Sequence, residues 1–234
     1  MTVVNTLNTD QILRTLDRIF AAELHDVAAI ADIGTRLPGA DGQGHLNALH
    51  SLPPEKLAEA LSDVVIPVSR ETGELLYVLA RNRGARRIVE YGTSHGASAI
   101  YLAAAVRDNG GGQVIGTELQ PNKVRSARAN LAAAGLADLV EVREGDARET
   151  LRSLPGPVDM VLIDGFASLY RDVLRVIEPQ LAPGALVVAD GMPPGPEAIA
   201  EYLDYVRDPA NGYTSVALPL GDGGVELSLR CRVN

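Results

Sequence analysis

The sequence has one cysteine, no tryptophan and two phenylalanines. Because Cys231 has no second cysteine to pair with, the chain forms no internal disulfide, which fits a reducing compartment. No stretch reaches the roughly 18 consecutive apolar residues that span a bilayer, and the first ten residues lack the basic-then-apolar order of a signal peptide. We therefore expect a cytoplasmic protein that has no membrane partner.

Positive charge is also scarce, with 21 basic against 30 acidic residues and a formal net charge of -9. The resulting field repels phosphate backbones and anionic lipid surfaces, so we expect no nucleic-acid partner. Only seven tyrosines, Phe20 and Phe166 remain for stacking on an aromatic ligand. At 234 residues and 46% hydrophobic, the chain can bury one sizeable core and one main domain.

Apolar residues at helical spacing predict one long amphipathic helix from Asp10 to Ile30. A stretch rich in glycine, proline and aspartate follows at 37–45 and predicts a loop that acts as a hinge or lid. Pro53 and Pro54 favour a helix start, and Ser69 can cap a helix that runs to Asn82 before Gly84. We predict a helical extension and lid over residues 1–64 and a ligand-binding domain over 65–234.

From residue 87 onward, short β-rich runs alternate with helical segments rich in alanine and leucine. These runs are 87–91, 113–118, 140–143, 158–164 and 185–190, and such alternation is typical of a parallel sheet with helices on both faces. Two last runs, 213–218 and 225–230, flank a glycine-rich turn and predict a hairpin. The expected fold is a doubly wound, Rossmann-like α/β fold. Its seven-stranded sheet is mainly parallel, with an antiparallel C-terminal hairpin and an N-terminal helical extension.

The loop after the first strand, Gly92 to Ser98, is the strongest candidate for ligand binding. Ligands of α/β sheets bind at the carboxyl ends of the strands, glycines admit a close backbone approach, and N–H groups at a helix start attract anions. Two glycines also occur in tight turns that bind nothing. However, Glu118 ends the next strand at about the 20-residue distance expected for a carboxylate that binds ribose hydroxyls. Together these features predict a nucleoside-like ligand.

Further acidic residues stand at later strand ends, Asp146 after the third strand and Asp164 after the fourth. Either aspartate alone could be a helix N-cap, which is the commoner role at such a position. Their succession after Glu118 favours a shared binding site.

The residues Val89-Glu-Tyr-Gly-Thr-Ser-His-Gly-Ala-Ser98 resemble the E-x-G-x-x-x-G-x-S signature of class I methyltransferases. Gly145-Asp146-Ala147 resembles the adenine-side motif of the same enzymes. Within that superfamily, Ile66-Pro-Val-Ser-Arg-Glu-Thr-Gly73 and Leu162-Ile-Asp-Gly165 are similar to small-molecule O-methyltransferases of the catechol and caffeoyl-CoA type. The resemblance covers roughly Val65 to Arg230.

This resemblance implies S-adenosylmethionine as cofactor and a small molecule as methyl acceptor. It places Val68 and Ser98 near the methionine end of the cofactor, Glu118 on the ribose, and Asp146 with Ala147 by the adenine. The remaining implied cofactor residues are Glu90, Gly92, Thr93 and Ser94 around the loop, and Asp164. The resemblance also implies an N-terminal region that shapes the substrate pocket, and a homodimer. On periodicity alone, the first helix could equally cover one face of its own sheet.

The chain departs from the catechol type in its metal and base set. Those enzymes hold a divalent metal with two aspartates and an asparagine, and carry a lysine base three residues after the first aspartate. Asp164 and Asp190 occupy the aspartate positions, whereas Gly191 and Ala167 stand where the asparagine and lysine are expected. Mg²⁺ accepts sites with one or two carboxylates plus waters, so a weakened Mg²⁺ site is one interpretation. Retention of both aspartates for cofactor binding, capping or strand-end hydrogen bonds is the other.

Candidate catalytic residues are His45, His50 and Tyr170. The two histidines lie on the loop before the ligand-binding domain, and an imidazole there could act as general base if that loop closes over the site. Two solvent-exposed loop histidines are the alternative interpretation. Tyr170 either packs in the core or donates a hydrogen bond to the acceptor. His95, inside the cofactor loop, either contacts a ligand or occupies a variable loop position.

The leading hypothesis is methyl transfer from S-adenosylmethionine to a small-molecule hydroxyl. A metal-assisted catechol-like O-methyltransferase is the first alternative. A non-catalytic S-adenosylmethionine-binding protein is the second, because both Ala167 and Gly191 depart from the catalytic set. A nicotinamide-dependent oxidoreductase would also use Glu118 on a ribose, but the two-glycine loop argues against it.

Overall fold

The computed structural model describes residues 5–35, 52–191, 199–221 and 223–231. His45, His50 and the predicted lid at 37–45 lie outside these residues. Within the described ranges, no helix combines the length and the apolar character that crossing a membrane requires.

Seven strands form one sheet in the order β3-β2-β1-β4-β5-β7-β6. The strands are β1 (Arg87–Tyr91), β2 (Gln113–Glu118), β3 (Val140–Glu144), β4 (Val158–Ile163), β5 (Leu181–Ala189), β6 (Tyr213–Leu218) and β7 (Val225–Arg230). Strands β1 to β5 are parallel, and β7 lies antiparallel between β5 and β6. The predicted doubly wound fold with its C-terminal hairpin is confirmed.

Strand β5 begins four residues earlier than the sequence pattern predicts, because it includes Pro183 and Gly184. The pairing of β4 with β5 shifts register between Val158 and Met160. Such an irregularity accommodates a proline, which cannot donate a ladder hydrogen bond. Sequence reasoning treats proline and glycine as strand breakers and therefore places the start of β5 too late.

The helices described are α1 (Asp10–Glu23), α2 (Asp26–Thr35), α3 (Pro54–Ala60), α4 (Arg70–Arg83), α5 (Ala97–Asp108), α6 (Pro121–Ala133), α7 (Ala147–Thr150), α8 (Tyr170–Ile177) and α9 (Ala200–Arg207). The predicted caps of α4 are confirmed. Ser69 Oγ accepts a hydrogen bond from Thr72 N at 3.0 Å, and Gly84 ends the helix with φ of +63°, a conformation that glycine adopts without steric cost.

Two apolar cores lie on opposite faces of the sheet. One joins α1, α4, α5 and α6 to residues such as Ile88, and the other joins α8 and α9 to residues such as Val89. Neighbouring residues of β1 serve different cores because side chains alternate across a strand. Complete burial of each aliphatic side chain stabilises the fold by roughly 1.5–3 kcal/mol. The cores thereby hold the carboxyl ends of the strands in a fixed arrangement.

The prediction of one helix from Asp10 to Ile30 is wrong, since the chain forms α1 and α2 with a break at Leu24 and His25. Leu24, counted in the apolar stripe, is 82% exposed. The buried carboxylate of Asp26 accepts backbone hydrogen bonds from Val65 N at 3.0 Å and Ile66 N at 2.7 Å. These tertiary hydrogen bonds fix the start of α2. Helical periodicity cannot predict them, because the two partners lie 39 and 40 positions away in the chain.

Candidate active site

A cavity of about 370 Å³ opens at the carboxyl ends of β1, β2, β3 and β4. It lies where the strand order reverses between β1 and β4, the usual ligand position in an open α/β sheet. Apolar residues of the N-terminal region form its outer wall: Ile30, Leu52, Leu57, Ala58, Leu61 and Ile66. The N-terminal region thus shapes the pocket, although its predicted status as a separate unit over 1–64 stays a prediction.

The loop after β1 approaches the end of β4 so closely that only glycine fits. Gly92 has φ of +93°, and a Cβ atom there would lie 2.2 Å from the carbonyl oxygen of Asp164. The N–H groups of Gly92 and Thr93 both donate to Thr117 O at 3.1 Å. Glycine at position 92 is therefore required by close backbone packing, beside any ligand role.

Glu118, predicted to bind ribose, faces the cavity in a fixed orientation. Its Oε2 accepts a hydrogen bond from Ser94 N at 2.8 Å, and its Oε1 accepts one from Gln120 N at 2.8 Å. Each carboxylate oxygen has more than one lone pair, so both can still accept a hydroxyl proton. Ser94 reaches this position with φ of +47°, an uncommon backbone conformation for a residue other than glycine.

Val68 and Ser98, assigned to the methionine end, come together in a narrow cleft beside the main cavity. Thr93, His95 and Asp164 also line this cleft. Ser94 Oγ donates to Val65 O at 2.9 Å and fastens the segment before Val68 to the cofactor loop. Val68 and Ser98, which the sequence assigned to the same end of the cofactor, are therefore neighbours in the structure. Their role in binding the cofactor stays a prediction.

Ile66 carries backbone strain at the border of both cavities. Its φ of +38° is unusual for a β-branched residue, and it is held there by the hydrogen bond from its N–H to Asp26. Strain of this kind costs on the order of 1–3 kcal/mol and clusters at functional sites. The strain presents the Ile66 side chain to the main cavity.

Glu90 lies behind the loop and lines neither cavity. Its side chain is fully buried, and neither carboxylate oxygen has a close hydrogen-bond partner among the described residues. Burial raises the pKa of Glu90 to about 7, and the neighbouring hydroxyls of Ser98 and Thr93 limit the rise. The free protein thus keeps, at the cofactor loop, a carboxyl group that holds its proton more tightly than an exposed glutamate does.

Asp146 and Ala147 line the opposite end of the cavity, next to β3. Asp146 also caps α7, since its Oδ1 accepts from Arg148 N at 2.8 Å. The Arg148 guanidinium lies 2.6 Å from Asp146 Oδ2 and holds the pKa of Asp146 below its ordinary value. The helix-cap role is therefore observed, at a residue that also faces the cavity.

Asp164 and Asp190 follow the adjacent strands β4 and β5. Burial, and then the charge of Asp190, raises the pKa of Asp164 well above its ordinary value. A Cβ atom on Gly191 would lie 3.4 Å from Asp164 Oδ1, so a side chain at position 191 would lie beside that carboxylate. Glycine supplies no ligand there. Among the described residues, no group of three or more histidine, cysteine, aspartate or glutamate side chains is placed to hold a metal, and the donor set does not fit a complete catechol-type Mg²⁺ site.

Tyr170 is buried, and its hydroxyl donates to the backbone oxygen of Asp190 at 2.6 Å. Its ring packs edge-on against Tyr91 and Tyr202. Tyr170 also lines the cavity, so its predicted contact with an acceptor stays a prediction beside an observed structural role.

His95 lines the narrow cleft and not the main cavity. Its Nδ1 lies 2.7 Å from Ser126 Oγ. Burial, and then the charge of Lys123, lowers the pKa of His95. The neutral imidazole is therefore favoured between the cofactor loop and α6.

Sequence reasoning missed Lys123, which lies in the first turn of α6 and lines the main cavity. It is 8% exposed. Two features of the sequence could have identified Lys123 as a candidate site residue. It lies five residues after Glu118, and the sequence contains only one other lysine, Lys56.

Comparison with known proteins agrees with this geometry. A family model described as "Methyltransferase domain" matches residues 89–192. A catechol O-methyltransferase of Mycobacterium tuberculosis is 38% identical over 140 residues, which are 59% of this chain and 63% of that protein. A putative O-methyltransferase of Mycobacteroides abscessus is 32% identical over 171 residues, which are 67% of this chain and 78% of that protein.

Among solved structures, the O-methyltransferase TomG of Streptomyces achromogenes, crystallised with S-adenosylmethionine, superposes with a TM-score of 0.63 at 31% identity. The match covers 76% of this chain and 88% of TomG. The chain spans about three fifths of the length of the curated catechol O-methyltransferases of Mycobacterium tuberculosis and Niastella koreensis, 63% and 58% respectively.

Proposed function

We propose that this chain, which belongs to the family of class I S-adenosylmethionine-dependent O-methyltransferases, transfers a methyl group from S-adenosylmethionine to a hydroxyl oxygen of a small molecule. The observation that carries the proposal is the joint arrangement of Gly92, Ser94 and Glu118 at the switch point of the sheet. A close backbone approach and a pre-oriented carboxylate together suit a nucleoside ligand.

The charge of the cavity supports a cationic cofactor. Four acidic side chains line it, those of Glu55, Glu118, Asp146 and Asp164, of which Asp164 has a raised pKa. Lys123 is the single cationic side chain among its described lining residues. Bound S-adenosylmethionine would supply the electrophilic methyl group on its sulfonium. A cavity of this charge attracts such a cation by ordinary electrostatics.

The residues of the chain act mainly by positioning and by excluding water. Glu118 and the loop amides would orient the cofactor, while Leu57, Leu61 and Ile66 present apolar surface to the acceptor. Correct placement of two reacting groups can supply a large part of the rate acceleration of a displacement reaction. If the acceptor hydroxyl arrives protonated, the proposed bases are His45 or His50.

We propose further that turnover does not depend on Mg²⁺, because Gly191 and Ala167 supply neither the third ligand nor the lysine of the catechol type. The test compares methyl transfer in EDTA and in Mg²⁺ for the natural protein and for Gly191→Asn. Asparagine tolerates a positive φ and would place an amide beside Asp164. Rates for the natural protein should agree within about twofold, with a Mg²⁺ response only in the variant; a large loss of natural activity in EDTA would contradict the proposal.

A cytoplasmic homodimer completes the proposal, and it is supported by composition and by resemblance to the family. Analytical ultracentrifugation of the purified chain would measure its oligomeric state directly.

The function is tested first by calorimetric titration with S-adenosylmethionine, using NAD as the control nucleotide, and then by transfer of a labelled methyl group to a panel of phenols and aliphatic alcohols. We expect micromolar binding of S-adenosylmethionine, no binding of NAD, and methyl transfer to at least one hydroxyl acceptor. No binding at millimolar concentration would refute the proposal. Binding without transfer to any acceptor would favour a non-catalytic cofactor-binding protein.

A further inference from the structure

Lys123 occupies a position that is unfavourable for a lysine in the free protein. Its side chain is largely buried, and it forms no ion pair and no hydrogen bond with the part of the chain that the structure describes. It also lies in the first turn of α6, where the helix macrodipole disfavours a positive charge. Partial burial of a charge without a close partner is unfavourable, and because Lys123 lines the cavity, a ligand bound there could compensate it.

The titratable groups that face Lys123 come from three different segments. The carboxylates of Glu118 at the end of β2 and Asp26 on α2 raise its pKa, but burial is the larger influence and lowers it. His95 of the cofactor loop also faces it. Lys123 therefore lies at the junction of α2, β2 and the cofactor loop.

We propose that Lys123 is a cofactor-binding residue whose ammonium donates hydrogen bonds to the ribose oxygens of S-adenosylmethionine. The hydroxyls of the same ribose diol would donate hydrogen bonds to Glu118. This inference rests on the proposed function and deepens it.

The two side chains are complementary in hydrogen-bond chemistry. A ribose diol offers two hydroxyl donors and two oxygen acceptors. The Glu118 carboxylate can only accept, and Ser94 N and Gln120 N already occupy part of its capacity. An ammonium has three donors and no acceptor, so Lys123 can satisfy the diol oxygens that Glu118 cannot.

The topology favours the ribose over the methyl acceptor as the partner of Lys123. Lys123 follows β2, whereas Ala167 and Gly191 on the proposed acceptor side follow β4 and β5. Strand β1 lies between β2 and β4, which separates the two strand ends by roughly 10 Å. The cavity residues nearest to Lys123 in the chain, Glu118 and Gln120, belong to the ribose side.

The test replaces Lys123 by methionine, which keeps the length and removes the charge, and uses the exposed Lys56→Met as the matched control. Calorimetry measures the affinities of each protein for S-adenosylmethionine, adenosine and 2′,3′-dideoxyadenosine. We expect Lys123→Met to weaken the first two roughly 10- to 100-fold, the range for hydrogen bonds to a charged group, and to leave the dideoxy analogue unchanged. Lys123→Arg should recover part of the affinity, and Lys56→Met should bind as the natural protein does.

Thermal unfolding separates this role from a structural one. Removing an uncompensated buried charge should leave the Tm of Lys123→Met unchanged or higher, whereas loss of a structural ion pair would lower it. Cofactor affinity equal to that of the natural protein would overturn the inference, whether the variant then shows a lower Tm or a higher KM for the acceptor. Failure of the natural protein to bind S-adenosylmethionine would instead refute the proposed function.

Discussion

The two sides of the cavity are built in different ways. On the proposed cofactor side, after β1, β2 and β3, backbone contacts determine the shape: Gly92 lies against Asp164, and Ser94 N donates a hydrogen bond to Glu118. On the proposed acceptor side, the wall comes from side chains of α2, α3 and the loop after β4.

This difference explains why one side of the cavity has the sequence motifs of class I methyltransferases and the other departs from them. A backbone contact restricts the residue to glycine or to a specific hydrogen-bonding group, whereas an apolar wall accepts many side chains of suitable volume. The cofactor side accordingly resembles class I methyltransferases residue by residue, and the acceptor side departs from them at Ala167 and Gly191.

The largest effect is expected from Gly92→Ala, which challenges the backbone origin of the cofactor side. The added Cβ would overlap the Asp164 carbonyl at 2.2 Å, so the variant should lose about 3 kcal/mol or more of unfolding free energy and bind no cofactor. Gly111→Ala is the control, because Gly111 has a similar φ of +98° but open space around it. Chemical denaturation measures both, and equal losses for the two variants would show that steric contact is not the cause.

The second largest effect is a pH-dependent change in stability that is caused by the buried carboxyl group of Glu90, behind the cofactor loop. Because its pKa rises from 4.5 to about 7 on folding, the folded state binds this proton more tightly, and the contribution of Glu90 to stability falls as pH rises between those values. Relative to the natural protein, Glu90→Gln should gain about 3 kcal/mol of unfolding free energy between pH 4.5 and pH 8.

Urea denaturation across this pH range measures the difference, with the exposed Glu74→Gln as the matched control. A pH-independent difference between Glu90→Gln and the natural protein would show that folding does not raise the pKa of Glu90.

A smaller effect is expected for Glu118→Gln, which keeps the shape of the side chain and removes its charge. Ser94 N and Gln120 N would then face a neutral amide, and cofactor affinity should fall by about 2 kcal/mol, the range for charge-assisted hydrogen bonds. Glu144→Gln serves as control, because Glu144 pairs with Glu118 in register on β3 but is exposed. Titration calorimetry with S-adenosylmethionine would contradict the ribose assignment if both variants bound equally well.

The smallest effect is expected for Tyr170→Phe on the acceptor side. Loss of the hydrogen bond to Asp190 O should cost about 1 kcal/mol of stability and change kcat by less than about threefold. Tyr202→Phe is the control, since the buried hydroxyl of Tyr202 has no close hydrogen-bond partner among the described residues. A fall in kcat of about 100-fold for Tyr170→Phe would indicate that the Tyr170 hydroxyl forms a hydrogen bond with the acceptor. The acceptor side would then recognise its ligand by a polar contact as well as by its apolar wall.

Sequence patterns predicted most of the fold because each strand and helix carries its own local signal. The Ser69 cap, the glycine after α4 and the apolar runs of β1, β2 and β4 all lie within a few residues of the structure that they specify. The break between α1 and α2 was missed because its cause, the hydrogen bonds of Asp26 to Val65 and Ile66, joins segments far apart in the chain.

The sequence by itself determined the order of strands and helices, the glycine loop and the acidic strand ends, since all of these depend on local spacing and residue type. Only the tertiary structure decided that Glu90 is buried without a close partner, that position 191 lies beside the Asp164 carboxylate, and that Lys123 faces the cavity next to Glu118. The physical reason is that burial and electrostatic environment arise from segments brought together by folding. The pKa of a side chain and its access to a ligand are therefore properties of the packed structure.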